Sequence, residues 1–202
     1  MPNLYPAFER QEVVVHSPRH VRTFAELTDA EVEATARAWL ERGEAARADG
    51  FAYVHALVNE GRAAGSSLPH SHSQLVWLRE PPPERERERP GAVAELLGEN
   101  DLLVAEEDGV RAVVHRCGRA PYELLIGGGE EIDVVAALRL LRECVRRLRA
   151  IEGPLAWNAW LHEDHLEVVP RLSVLAGVEL GAGIYVNTVA PEDAAAALRA
   201  AT

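Results

Sequence analysis

The residues able to do chemistry are concentrated in one stretch, Asn59-Glu-Gly-Arg-Ala-Ala-Gly-Ser-Ser-Leu-Pro-His-Ser-His-Ser-Gln74. Gly61 and Gly65 carry no Cβ, and Ser66 and Ser67 are small, so a loop here can bring backbone N–H groups against an anion. The chain then turns extended through His70, His72 and Gln74. Alternate residues of a strand share a face, which predicts that these three side chains point the same way, beneath the loop. A neutral imidazole is a nucleophile near pH 7, and the Gln74 amide can donate an N–H to a phosphoryl oxygen without adding charge. The chemistry suggested is attack of a histidine on phosphorus, with loop and glutamine holding the oxygens. The plainer alternative is a histidine that only packs or hydrogen-bonds within a strand.

Several elements must position this stretch. The apolar run Phe51 to Val58 predicts a buried strand leading into the loop, and Leu75-Val-Trp77 continues the strand after it, to about Leu78. Glu12 to Val15 predicts another strand, ended by Ser17-Pro18. Thr28 and Glu31 form a capping-box pattern, with Leu27 and Val32 as a hydrophobic staple. Val32, Ala36, Trp39 and Leu40 continue it as a helical stripe up to Asp49-Gly50. The run Arg79 to Pro90, three prolines followed by alternating charge, reads as a solvated linker.

Composition bounds the rest. The 202 residues can bury a core in one domain or in two similar halves. A net charge of −11 excludes nonspecific nucleic-acid binding, and a phosphate-binding site here must rely on local arginines and N–H groups. All 21 basic residues are arginine, which excludes a Walker-type phosphate loop and Schiff-base chemistry. No apolar run reaches membrane-spanning length and no signal pattern is present, so no membrane association and a cytoplasmic location are expected. Cys117 and Cys144 are expected as free thiols.

The second half repeats the first. Leu102–Ala105 and Val110–Val114 predict strands around an Asp108-Gly109 turn, and Tyr122–Ile126 a third, followed by Gly127-Gly-Gly129. A helical stripe from Val134 to Leu148 ends at Gly153-Pro154. Leu155–Leu161 aligns with Phe51–Leu57, and Glu163, His165 and Glu167 align with His70, His72 and Gln74. The second copy lacks the Gly/Ser loop, so the first half is the catalytic copy. Pro191 onward predicts a closing helix.

Asn59, Gly61, Gly65, Ser67, His70, His72 and Gln74 match the spaced pattern Asn-x-Gly-x-x-x-Gly-x-Ser-x-x-His-x-His-x-Gln, and so the chain resembles the galactose-1-phosphate uridylyltransferases of the histidine-triad (HIT) superfamily. Ser71 stands where the family usually has proline. The resemblance runs from Asn3 to Arg199 and is to an N-terminally shortened member. It implies an α+β, HIT-like fold of two pseudo-symmetric halves, each an antiparallel sheet with a packed helix. Residues 1–78 are then the catalytic half, 79–91 the linker and 92–202 the second half.

It further implies that His72 is the nucleophile and Gln74 its partner, forming a nucleotidyl-histidine from a nucleoside-diphosphate sugar and passing the nucleotide to a sugar 1-phosphate. Asn59, Gly61, Arg62, Gly65, Ser66 and Ser67 would bind substrate, and Glu179 the sugar hydroxyls, in a homodimer whose segment 171–187 reaches the neighbouring site. The family's zinc is held by a His in Ser-Pro-x-His, the first His of His-x-His and an upstream Cys-x-x-Cys. Here only His20 and His70 match, half of a four-ligand set, and the alternative is a hydrogen-bonded histidine pair bracing the strand. His162, Glu163, His165 and Glu167 form a second cluster that could bind metal or be structural. The alternative activities are phosphorolysis or hydrolysis of a nucleoside-diphosphate sugar or dinucleotide, or nucleotide binding without catalysis.

Overall fold

The computed structural model describes residues 1–84, 89, 91–128 and 131–201. Part of the linker reading (residues 85–88 and 90) and the end of the glycine corner (Gly129) lie outside them.

In the first half, β1 (Arg10–Val15), β2 (Tyr53–Glu60) and β3 (His72–Leu78) form around α1 (Asp29–Ala48). Thr28 caps α1: its hydroxyl accepts the Glu31 N–H, and the Glu31 carboxylate accepts the Thr28 N–H. In the second half, β4 (Leu103–Glu107), β5 (Val110–Val114), β6 (Leu124–Gly127), β7 (Trp157–Leu161) and β8 (His165–Pro170) surround α3 (Val134–Glu152). Three further helices are α2 (Ala92–Leu97), α4 (Gly177–Ala182) and α5 (Pro191–Ala200).

The strands of both halves join into one antiparallel sheet, in the order β1-β3-β2-β7-β8-β6-β5-β4. The seam is β2 against β7, with Asn59 opposite Asn158. One face carries Leu75, Trp77, Val58, Trp157, Ala159, Leu166 and Val168 into a single core with α1, α3 and α5. The sequence explains this: α3 places Leu138, Leu141, Val145 and Leu148 on one stripe, and all four are buried. Cys144 is buried in that stripe, and Cys117 is an exposed free thiol. The opposite face carries Gln11, His55, His72, Gln74, Asn158, Trp160 and Glu167, following from strand alternation and the register.

Two elements were not expected. Helix α2 follows the linker and covers Val113 and Leu125 on the second face; its six residues are too few for a periodic signal. Helix α4 is equally short. The linker is also less detached than its composition implies. Arg79 donates to Glu9 and lies over the Phe51 ring, 4.2 Å from its centroid, because a long guanidinium stem can cover apolar surface while its head stays wet. No described helix is long and apolar enough to cross a membrane.

Candidate active site

His72 opens β3 where the chain leaves the glycine loop, and 6 % of its surface is exposed. Its Nδ1 lies 2.8 Å from the carbonyl oxygen of His70. A carbonyl only accepts, so Nδ1 carries the proton and donates, and in the neutral ring the lone pair is on Nε2. That is the tautomer a nucleophilic histidine needs. His72 lines a cavity of about 740 Å³ together with Asn59, Gly61, Arg62, Ser66, Ser67 and His70.

The loop above it turns on two glycines with positive φ, Gly61 (84°) and Gly65 (87°), around a 3-10 turn at Arg62–Ala64. At Gly61 a Cβ would come within 2.8 Å of the Ala156 Cβ, so no other residue fits. The loop is not the open anion cradle expected. The N–H groups of Ala64 and Ser66 donate to Gly61 O, and that of Gly65 to Arg62 O, closing the turn on itself. Ser66 Oγ donates to Leu68 O. Among the site's serines, Ser67 is the cavity-lining residue whose hydroxyl makes no hydrogen bond with the described residues.

His70 does not share a strand face with His72. It precedes β3, in a bend set by Pro69 and by the bond from Ser71 N–H to Val21 O. Its Nε2 lies 2.8 Å from Arg19 O and its Nδ1 3.1 Å from Ser71 O. His20 meets the His70 ring edge-on at 5.9 Å. A metal ligand must offer a lone pair, and both nitrogens of His70 face carbonyl oxygens. His20 and His70 lie side by side as the two matched positions of the four-ligand set, with the His70 ring set between the Arg19 and Ser71 carbonyls. Gln74 shares the His72 face but does not line the cavity; its Oε1 accepts from Gln11 Nε2 at 2.6 Å.

Glu179 lies on α4, outside the cavity of its own chain, where its carboxylate accepts the Ala176 N–H at 2.9 Å and is held below the usual range by that bond. Among the described residues, the group of three metal-ligating side chains near enough for one ion is His162, His165 and Glu167, with ligand atoms within 4.8 Å. Each of the three side chains also has a protein partner. Trp160 Nε1 donates to His162 Nε2 at 2.8 Å, Asp164 lies 2.8 Å from His165 Nδ1, and Arg119 pairs with Glu167. Glu163 is exposed and outside the group.

Three cavity groups escaped sequence reasoning, and so did Asn158, which holds the loop from outside the cavity. Arg22 and Arg149 reach the cavity from beside the 3-10 turn Phe24–Glu26 and from the end of α3. Glu60 is half-buried there, accepting from Thr23 Oγ1 at 2.6 Å and Phe24 N–H at 2.7 Å; desolvation raises its pKa. Asn158, across the seam, donates to Asn59 Oδ1 at 2.7 Å and Ala64 O at 2.8 Å, tying the loop to the second half. Arg22, Arg149 and Asn158 carry no local sequence signal, because segments distant in sequence bring them to the site, and Glu60 is an unremarked position inside the motif stretch itself.

Fold and site together define an α+β protein with one large antiparallel sheet and a histidine lining a cavity beside a glycine loop. Comparison with known proteins bears on the fold and the family it resembles. Residues 6–82 match the family model described as galactose-1-phosphate uridyl transferase, N-terminal domain. The chain is 24 % identical to an ADP-glucose phosphorylase of Arabidopsis thaliana over 95 % of its own length and 64 % of the relative's, so it spans less than two thirds of that protein. It is 25 % identical to a galactose-1-phosphate uridylyltransferase of Thermotoga maritima over 93 % of its length and 73 % of the relative's. A crystal structure of the Arabidopsis ADP-glucose phosphorylase with bound ADP-glucose superposes with a TM-score of 0.87 at 22 % identity, covering 100 % of this chain and 81 % of that one. The resemblance to the galactose-1-phosphate uridylyltransferases, and with it the HIT-like fold, is thereby shown.

Proposed function

We propose that the protein transfers a nucleoside monophosphate from a nucleoside-diphosphate sugar through a nucleotidyl-His72 intermediate. The observation that carries this reading is charge. In a chain of net charge −11, most arginines are ion-paired, yet Arg22, Arg62 and Arg149 line the His72 cavity and form no salt bridge with the described residues. Unpaired guanidinium groups around a nucleophile suit a substrate that brings its own phosphates.

In this reading the His72 Nε2 lone pair attacks the α-phosphorus. The bond from that phosphorus to the bridging oxygen breaks, and the sugar 1-phosphate leaves with the electron pair. An acceptor phosphate oxygen then attacks the same phosphorus and releases His72. Charge growing on the non-bridging oxygens is met by Ser67 and the cavity arginines; Gln74, on the His72 face outside the cavity, has both amide N–H donors without a partner among the described residues. The acceptor is a sugar 1-phosphate or inorganic phosphate. The second is favoured by one observation: within one chain, Glu179, the residue the resemblance assigns to sugar hydroxyls, lies off the cavity. A sugar acceptor is favoured if the chain forms a homodimer that brings segment 171–187 to a neighbour, and the exposed Val174, Val178, Leu180 and Ile184 support such an assembly.

Intact-mass analysis after incubation with ADP-glucose or UDP-glucose tests the reading. The expected result is a nucleotidyl adduct, absent in His72→Ala and discharged by phosphate or a sugar 1-phosphate. No adduct with either donor, or one that survives in His72→Ala, would overturn it.

A further inference from the structure

A buried pair lies under the nucleophile's bend. His16 and Ser71 are 3 % and 5 % exposed, and His16 Nδ1 lies 2.8 Å from Ser71 Oγ. The His16 N–H also donates to Ser71 O, and the Ser71 N–H donates to Val21 O at 2.8 Å. The ring of His16 packs edge-on against Phe24, 5.2 Å away. Ser71 is thus held through its N–H, carbonyl and hydroxyl.

A planar trans peptide points its C=O and N–H in opposite directions. With the Ser71 N–H anchored on Val21, the carbonyl of the same peptide unit, that of His70, is aimed the other way. There it accepts the His72 Nδ1–H. Fixing Ser71 therefore fixes the group that sets the His72 tautomer. We propose that His16 and Ser71 are positioning residues that act through the 70–71 peptide to hold His72 with its Nε2 lone pair available. Ser71 lines the cavity, but its hydroxyl is engaged by His16, and the pair is formed by residues the nucleophile motif does not require. The Ser71 N–H is essential to the device, because proline at this position has none to give Val21.

This rests on His72 being the nucleophile, so the test uses two readouts. The ring nitrogens of 15N-histidine-labelled protein report the His72 tautomer directly, with His72→Ala supplying the assignment. Mass-detected adduct formation from ADP-glucose in a single turnover reports the chemistry. Ser71→Ala removes only the hydroxyl. His16→Phe keeps the ring volume against Phe24 and removes the partner. His16→Asn keeps a polar atom near the Nδ1 position.

Native protein should show a single Nδ1–H tautomer at His72. Ser71→Ala and His16→Phe should each give mixed tautomers and slow the adduct by about 10- to 100-fold, the scale of a buried hydrogen bond lost. The double variant should be no slower than either single one, and His16→Asn should recover most of the rate. Tautomer and rate unchanged in Ser71→Ala would overturn the proposal even if His16→Phe fails to fold. A native tautomer that shifts in the variants, with no adduct in any of them, would support the positioning role and reject the nucleotidyl-transfer reading.

Discussion

At the scale of single residues, burial makes two histidines acid-sensitive. His16 is pushed down to about 3 by desolvation, helped by the neighbouring His72 and His70, and His55 to about 4 by desolvation and His162. Both values lie below the ordinary 6.5. The unfolded chain therefore takes up protons that the native one refuses as pH falls below 6.5, and stability is lost toward the folded values. Each ring contributes up to about 1.4 kcal/mol per pH unit across that window. Thermal melts should show a midpoint falling between pH 6.5 and 4, with a shallower fall in His55→Leu; an identical slope in that variant would assign the acid sensitivity elsewhere. Glycine acts at the same scale. Gly61→Ala, forced against Ala156 at positive φ, should cost about 1–3 kcal/mol in chemical denaturation, whereas Gly65→Ala, with open space around its Cβ, should cost less.

At the scale of elements, the start of α1 ties the site to the core. Glu31 closes the capping box, and its carboxylate also accepts from Ser17 Oγ at 2.6 Å and from Arg19 at 2.6–2.8 Å, bonds that hold it well below the usual carboxylate range. Arg19 in turn presents the carbonyl that meets His70. Thr28→Ala should remove about 1 kcal/mol of stability and leave adduct formation intact, since only the cap is lost. Glu31→Ala should lose more and also slow the adduct, because the 17–19 segment is released. Equal kinetics in the two variants would show that this segment does not brace the site. Much of this scale was legible in sequence. The capping box, the α3 stripe and the Asp108-Gly109 turn follow from local pattern and appear as read, whereas the joining of the two expected sheets into one does not show in local pattern. The Gly/Ser loop was legible as a turn but not as one that spends its own N–H groups, because that depends on φ values and not on residue type. Arg22 and Arg149, which line the cavity, and Asn158, which ties the loop to the second half, were not legible, since each meets the site only where segments distant in sequence come together.

At the scale of the molecule, the proposed homodimer predicts a mass twice that of the chain in sedimentation at micromolar concentration. If the site is shared, mixing His72→Ala with Glu179→Ala chains should restore activity, since one site of each hybrid carries neither change. A monomer, or no rescue on mixing, would confine the site to one chain.

The seam between β2 and β7 has a consequence for the chain as two pieces. Each half, taken alone, ends in a bare row of N–H and C=O groups on what is now an interior strand. Such edges are sticky toward any extended backbone, yet here each has one partner matched in register and fastened by Asn158 on Asn59. Fragments 1–84 and 91–202, made separately, should each be prone to aggregate. Made together, they should recombine into an active pair, because what joins the halves is the ladder between them more than the peptide that runs from one to the other.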